Sequence, residues 1–306
     1  MAVVHVDARR YLDPAVLAKI GALDLRARRL VEGFISGMHR SPFHGFSIEF
    51  AEHRKYAQGD DLRHLDWKVY GRTDKHYVKQ YEQETNLHLL LAVDCSASMT
   101  YRSAGAPMSK RDYATTLAAA IAYLALHQSD AVGLATFDSR LHKTHRSSNA
   151  PTHWRTIVTE LEHASGAGAT AFGPVMNALA DSLHSRHMIV ILSDLFADAR
   201  TILAGVKHLR HRGHEPIVLH VLDPAERTLP FDGATEFDGL EDHERIRAEP
   251  AAVRRRYVEL VRQWVADIRS GCLGEHVDYE LVDTGEPPSA ALGTYLANRA
   301  RRIGGK

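Results

Sequence analysis

Asp94, Ser96 and Ser98 stand at alternate positions in Val93-Asp-Cys-Ser-Ala-Ser-Met99, directly after the apolar run Leu87 to Val93. Alternate residues of an extended segment point to one side, so a carboxylate and two hydroxyls converge. Thr170 closes Ser165-Gly-Ala-Gly-Ala-Thr170, a glycine-rich loop that can carry a hydroxyl close to another backbone. Asp194 adds a second carboxylate after Ile189-Val-Ile-Leu-Ser193. Hydroxyl and carboxylate oxygens are hard ligands, the kind Mg2+ takes in an octahedron at roughly 2.0 to 2.1 Å. The expectation is a cation site of Asp94, Ser96, Ser98, Thr170 and Asp194, with water and one ligand from outside completing the shell. The residue types alone leave Mg2+, Mn2+ and Ca2+ open. They also leave open a plainer reading, in which Asp94 and Ser96 cap a turn and Asp194 caps a helix beginning near Phe196.

The elements that must position these residues alternate from Asn86 onward. Periodicity predicts strands over 87–93, 131–137, 187–192, 216–222 and 276–282. Between and after them it predicts helices over 109–128, 152–163, 172–184, 197–212, 250–270 and 289–301. The long helix is expected to bury Val253, Tyr257, Val261, Trp264, Val265 and Ile268. Apolar strands alternating with helices imply an α/β fold with a doubly wound, mostly parallel sheet covered on both faces. Ligands of such sheets bind outside the carboxyl ends of the strands, where Asp94 and Asp194 both fall.

Upstream, Asp13-Pro14 reads as a helix start. Leu23, Ala27, Leu30, Val31, Phe34, Ile35 and Met38 follow at helical spacing, with Gly37 as the stop. The apolar stripe is expected to dock on the rest of the protein, with Arg26, Arg28 and Arg29 on the polar face. Residues 41–84 interleave aromatic and charged side chains. Ser47 to Phe50 and Tyr77 to Tyr81 alternate as strands do, and Gln58-Gly-Asp-Asp61 reads as a turn. The chain therefore divides into residues 1–85, a helix plus a small β-rich unit, and residues 86–306, the α/β domain.

The 306 residues, 44% of them hydrophobic, suffice for one large core with an appended unit. Lys and Arg number 38 against 38 Asp and Glu, so no overall field favours nucleic acid or an anionic membrane. The two cysteines, Cys95 and Cys272, make no disulfide or zinc framework, which fits a reducing compartment. No secretory signal opens the chain and no apolar stretch approaches the ~20 residues a membrane span requires, so a cytoplasmic, soluble protein is expected. The 20 histidines include His208, His211 and His214, but Gly213 separates the last from the others, and a solvated surface is expected for all three.

No phosphate-binding loop of the Gly-x-x-x-x-Gly-Lys type and no Gly-x-Ser-x-Gly elbow occurs. A Mg2+-dependent phosphotransferase of the haloacid-dehalogenase type also places an Asp after its first strand, but follows it two residues on with a second Asp. This chain has Ser96 there, which cannot shuttle a proton near neutral pH. Cys95, beside the site at an apolar strand end, is expected to pack rather than react.

The order Asp-x-Ser-x-Ser, later Thr, later Asp closely resembles the metal-ion-dependent adhesion site of von Willebrand factor A domains. The resemblance covers about residues 86–306 and implies a Rossmann-like sheet and a cation whose open position takes a carboxylate from a partner protein. The upstream block is similar to the bacterial domain-of-unknown-function family 58. It comprises Gly45 to Phe50, Glu52 to Tyr56, Gly59 to Arg63, Leu65-Asp-Trp67, Arg72, Tyr77 to Lys79, Glu82 and Glu84. The run Val221 to Glu226 and Phe231-Asp-Gly233 carry the same resemblance. Members are commonly encoded beside MoxR-type AAA+ ATPases, and some carry transmembrane helices. The resemblance implies a non-enzymatic adaptor working with such an ATPase in maturation or assembly of other proteins. The charged residues of the upstream block, among them Glu49, Arg54, Asp60 and Arg63, suit either a partner surface or an internal ion-pair network.

Overall fold

A computed structural model describes residues 23–32, 53–55, 77–79, 88–164, 166, 168–242 and 244–303, with backbone alone for 53–55, 77–79 and 298–303. By contact the chain forms two units. One is Gly37–Asn86; the other joins Met1–Ser36 to Leu87–Lys306. Within the smaller unit, β1 (His53–Lys55) and β2 (Tyr77–Lys79) pair antiparallel, Arg54 opposite Val78. The strand expected at Tyr77 is thus present, and β1 is an addition to the sequence reading. The expected helix start at Asp13-Pro14, the strand Ser47 to Phe50 and the turn Gln58 to Asp61 lie outside the described residues.

Helix α1, residues 23–32, belongs to the larger unit rather than to the β-rich one with which the sequence groups it. Leu23, Ala27 and Val31, one face at helical spacing, are buried in its core. Asp24 accepts a hydrogen bond from the Trp154 indole at 2.8 Å, and the Arg28 guanidinium lies over the Tyr123 ring.

In the larger unit, six strands run in the order β10-β7-β6-β3-β4-β5. They are β3 (His88–Asp94), β4 (Ala131–Phe137), β5 (Leu141–Ser148), β6 (Met188–Ser193), β7 (Glu215–Leu222) and β10 (Asp278–Asp283). All neighbours are parallel except β5, which returns antiparallel along β4. Successive strand residues point to opposite faces. Leu89, Leu91 and Val93 therefore join one core with α1, α2 (Lys110–His127), α3 (His153–His163) and α8 (Pro288–Ile303). Leu90 and Ala92 join the other with α4 (Phe172–Ser182), α5 (Ala199–His211) and α7 (Pro250–Gly274). The fold is α/β, with a mostly parallel sheet covered on both faces.

The expected strands and helices of this unit are present, their ends matching or shifted by at most four residues. Helix α5 starts at Ala199, capped by Asp198, not near Phe196. Three strands and one helix of this unit are additional to the expectation. Edge strand β5 is polar and half-exposed, and its Lys143 and His145 pair with Glu160. After β7 come α6 (Pro224–Thr228) and the hairpin β8 (Thr235–Asp238) with β9 (Arg245–Ala248). The expected apolar stripe of α7 is buried only toward its end. Ile268 lies in the core, whereas Val253 is 47% exposed.

Candidate metal centre

Chain order starts at β3, moves out to β4 and β5, then crosses to β6 on the other side of β3. The connections therefore part at the carboxyl ends of β3 and β6, where such sheets open a crevice. Asp94 ends β3 and Asp194 follows β6, and both are buried.

Beyond Asp94 the backbone is tied at each step. Cys95 N–H donates to Phe137 O at 2.7 Å, and Ser96 N–H donates to Asp94 Oδ1 at 2.9 Å. A 3-10 turn over Ser98–Thr100 then brings the Ser96 and Ser98 hydroxyl oxygens within 3.1 Å of each other. Neighbouring ligands in an octahedron of Mg2+–O distances near 2.1 Å sit about 3.0 Å apart. The two hydroxyls are thus spaced as adjacent ligands of one small cation. The glycine loop is fastened here too, through Ala97 N–H to Gly168 O at 3.1 Å. Gly166 lies so close that a Cβ would stand 2.1 Å from Cys95 O, so only glycine fits.

Asp94 Oδ2 accepts the Ser193 hydroxyl at 2.6 Å. Burial first, and the charge of Asp194 second, push the Asp94 carboxyl up to about 7 despite these hydrogen bonds. A cation beside it would reverse both effects. Two carboxylates and paired hydroxyls suit a hard divalent ion, although among the described residues no three His, Cys, Asp or Glu side chains gather as a metal-binding group, here or elsewhere.

Asp194 is already engaged. Its Oδ2 accepts from Lys110 Nζ at 2.7 Å and its Oδ1 from Phe196 N–H at 3.2 Å. Its carbonyl accepts from His220 Nε2 at 2.9 Å. Lys110 Nζ also donates to Glu226 Oε1 at 2.5 Å. Burial opposes the Lys110 charge, but the two carboxylates outweigh it and raise its pKa. Burial raises the Glu226 carboxyl, against the pull of Lys110. Glu226 is held by the capping box of α6, where its Oε2 accepts Asp223 N–H at 2.8 Å. Leu195, at φ 54, turns the chain after Asp194 through the left-handed region. Phe196 then projects outward, 67% exposed. Beside it a cleft of about 510 Å³ is bordered by Leu222, Tyr257, Leu260 and Trp264 together with Lys110, Asp194 and Glu226.

The expected donors thus fall into three groups: Asp94 with Ser96 and Ser98, Asp194 with Lys110, and Thr170, whose N–H and hydroxyl both donate to Glu241. Plain capping contacts exist as well, Ser96 N–H to Asp94 and Phe196 N–H to Asp194, so part of the turn-capping alternative is present in the same residues. Lys110, Ser193, Glu226 and Glu241 are absent from the sequence reading of the site. Only Glu226 carries a local signal, the Asp-Pro-Ala-Glu spacing of a capping box at 223–226. Cys95 agrees with its expectation: it is buried, and burial pushes its thiol up to about 12. Of the three histidines expected on the surface, His214 is buried instead.

Among the described residues no helix is long and apolar enough to cross a membrane. Two solved structures are similar at low level. One, described as the conserved hypothetical protein BatB from Bacteroides thetaiotaomicron, is 16% identical, covers 70% of this chain and 99% of its own, and has a TM-score of 0.45. The other, an aerotolerance-related membrane protein from Bacteroides fragilis, is 19% identical over 68% of this chain and 97% of its own, with a TM-score of 0.46. Among curated proteins, the uncharacterized protein Rv1480 of Mycobacterium tuberculosis is 30% identical over 224 residues, 72% of this chain and 69% of that protein. The uncharacterized protein Mb1516 of Mycobacterium bovis matches to the same extent. The family model described as protein of unknown function DUF58 matches residues 52–266, and the chain belongs to that family.

Proposed function

We propose that this chain is a cation-dependent protein-binding module. The observation that carries the reading is the Ser96–Ser98 hydroxyl pair, spaced at 3.1 Å beside buried Asp94 at the carboxyl edge of the sheet. Asp94, Ser96 and Ser98 would hold Mg2+ directly or through its waters, with Asp194 and Thr170 at the margin. When bound, the ion supplies a Lewis-acidic position for a carboxylate of another protein. The residues themselves fix the hydroxyls through backbone hydrogen bonds and keep bulk water from Asp94 by burial. They supply no second acid at position 96, which supports binding over phosphoryl transfer. The partner proposed is a MoxR-type AAA+ ATPase, with this chain as its adaptor.

A second reading has its own observation. Lys110 already neutralises Asp194, so the cluster would hold the fold together without any metal. One experiment separates the two. Isothermal titration of metal-free protein with Mg2+ is run alongside capture of the purified ATPase with and without Mg2+, each also for Asp94→Ala. Saturable Mg2+ binding and Mg2+-dependent capture, both lost in the variant, are expected. Capture that persists equally in the variant and in excess chelator removes the adaptor reading, and absence of Mg2+ binding leaves the lysine-held cluster.

A further inference from the structure

Both hydrogen-bond donors of Thr170 end on one side chain far along the chain. Its N–H donates to Glu241 Oε2 at 3.1 Å and its hydroxyl to Glu241 Oε1 at 3.0 Å, across 71 residues of sequence. Thr170 lies two residues from Gly168, whose carbonyl is bonded to the Asp-x-Ser-x-Ser loop. Glu241 sits in the turn joining β8 to β9, closed by Gly239 N–H to Glu244 O at 2.7 Å and Glu244 N–H to Asp242 Oδ1 at 3.0 Å. The fold thus brings a carboxylate of its own to the margin of the candidate site and spends both oxygens there.

The element carrying that carboxylate is lightly built. Its two strands have four residues each and pair only with one another. Its charges, Glu236 and Asp238 with Arg245 and Arg247, pair on the surface, where such bridges contribute little. Ile246 is 59% exposed, and Phe237 packs its ring edge-on against Phe231. A lone two-stranded hairpin is marginally stable in water, so displacing it costs little. A hydroxyl that donates its proton to Glu241 still has lone pairs for a cation. Glu241 therefore does not exclude a metal from Thr170; it takes the place from which another carboxylate would approach.

The geometry points to Glu241 as a resident intramolecular ligand: the β8–β9 hairpin presents the chain's own acidic group to the site and competes with the acidic group of a partner. This rests on the reading that Asp94, Ser96 and Ser98 hold a divalent cation with Thr170 at its margin. It adds that the binding module is closed by default and opens when the hairpin swings away.

The test loads the full chain with Mn2+, follows the bound ion by water-proton relaxation, and titrates glutarate as a plain carboxylate probe. Glutarate is expected to bind Mn2+-loaded Glu241→Ala about tenfold more tightly than wild type, with Glu241→Gln, which keeps the shape but offers one acceptor oxygen, in between. In wild type, saturating glutarate is expected to speed amide hydrogen exchange at Thr170 and across 235–248. Equal glutarate affinity in all three proteins, or unchanged exchange at Thr170 with glutarate bound, overturns the proposal. If wild type and both variants lack an Mn2+ signal that Asp94→Ala removes, the cation reading itself has failed and the competition falls with it. Loss of competition alone leaves that signal intact, so the two failures are distinct. Should Glu241→Ala not fold, the Glu241→Gln arm decides.

Discussion

The two edges of the central sheet gather opposite chemistry. At the carboxyl edge, Asp94, Ser96, Ser98 and Asp194 bring oxygens together, with Lys110 as the resident cation. At the amino edge, His88 opens β3 while His187 and His214 precede β6 and β7. Their rings lie in sequence, with centroids 5.2 Å and 6.0 Å apart. Three imidazoles that close look like a metal site by residue type, yet the hydrogen bonds say otherwise. His187 Nδ1 faces Ser185 O at 2.7 Å, and His214 Nδ1 accepts His187 N–H at 3.3 Å. The rings of His187 and His214 finish backbone hydrogen bonding, and burial favours their neutral form. At the other edge the carboxylates remain short of positive charge. The two edges differ in unsatisfied charge rather than in a tally of ligating residue types.

The sharpest way to break this contrast is to remove the resident cation. Lys110→Met leaves buried Asp194 and half-buried Glu226 without their partner, and urea unfolding is expected to show a loss of about 3–5 kcal/mol. A loss under ~1 kcal/mol would mean that Lys110 does not hold the carboxyl edge. The amino edge is expected to respond to acid instead. His187 and His214 have folded pKa values below the unfolded value of about 6.5. Their contribution is complete above that pH and declines as pH falls through it toward the folded values. In thermal melts at pH 7 and pH 5, the double variant His187→Gln, His214→Gln is expected to lose less stability to acid than wild type, while His220, whose ring burial holds to about 4, keeps its share of the slope in both. An unchanged slope would place the acid sensitivity elsewhere. The smallest effect is expected at the thiols. Burial pushes both Cys95 and Cys272 up to about 12, so iodoacetamide at pH 8 should label neither until denaturant is added. Rapid native labelling of Cys95 would show the strand end to be open to solvent and reactive.

The carboxyl edge was legible in part. Asp94, Ser96 and Ser98 announce themselves because their chemistry is local and their spacing regular. Lys110, Glu226 and Glu241 do not, because their partners stand 84, 116 and 71 residues away in sequence. Strands β3, β4, β6 and β7 were legible as apolar runs, since burial on both faces leaves no alternation to read. Strand β5 was not, because Leu-His-Lys-Thr-His-Arg-Ser-Ser at 141–148 has little to bury at a sheet edge. The stripe of α7 misled in the other direction. Its periodicity is regular, but Val253 is 47% exposed and Tyr257 and Val261 are only half-buried before the helix reaches the core at Ile268.

Lys110 occupies the first position of α2, immediately after the capping Ser109. A positive charge there opposes the partial positive charge of the helix end, so the helix itself gives this lysine no reason to stay. It is held from across the crevice, by the ends of β6 and the start of α6. The helix it begins has 18 residues, a rod of ~27 Å that runs through the core as far as His127. Lys110 is therefore a mooring line, and the charge on Asp194 sets its tension. Whatever draws that charge away loosens one end of the helix that carries Tyr113, Leu117 and Ile121 into the core.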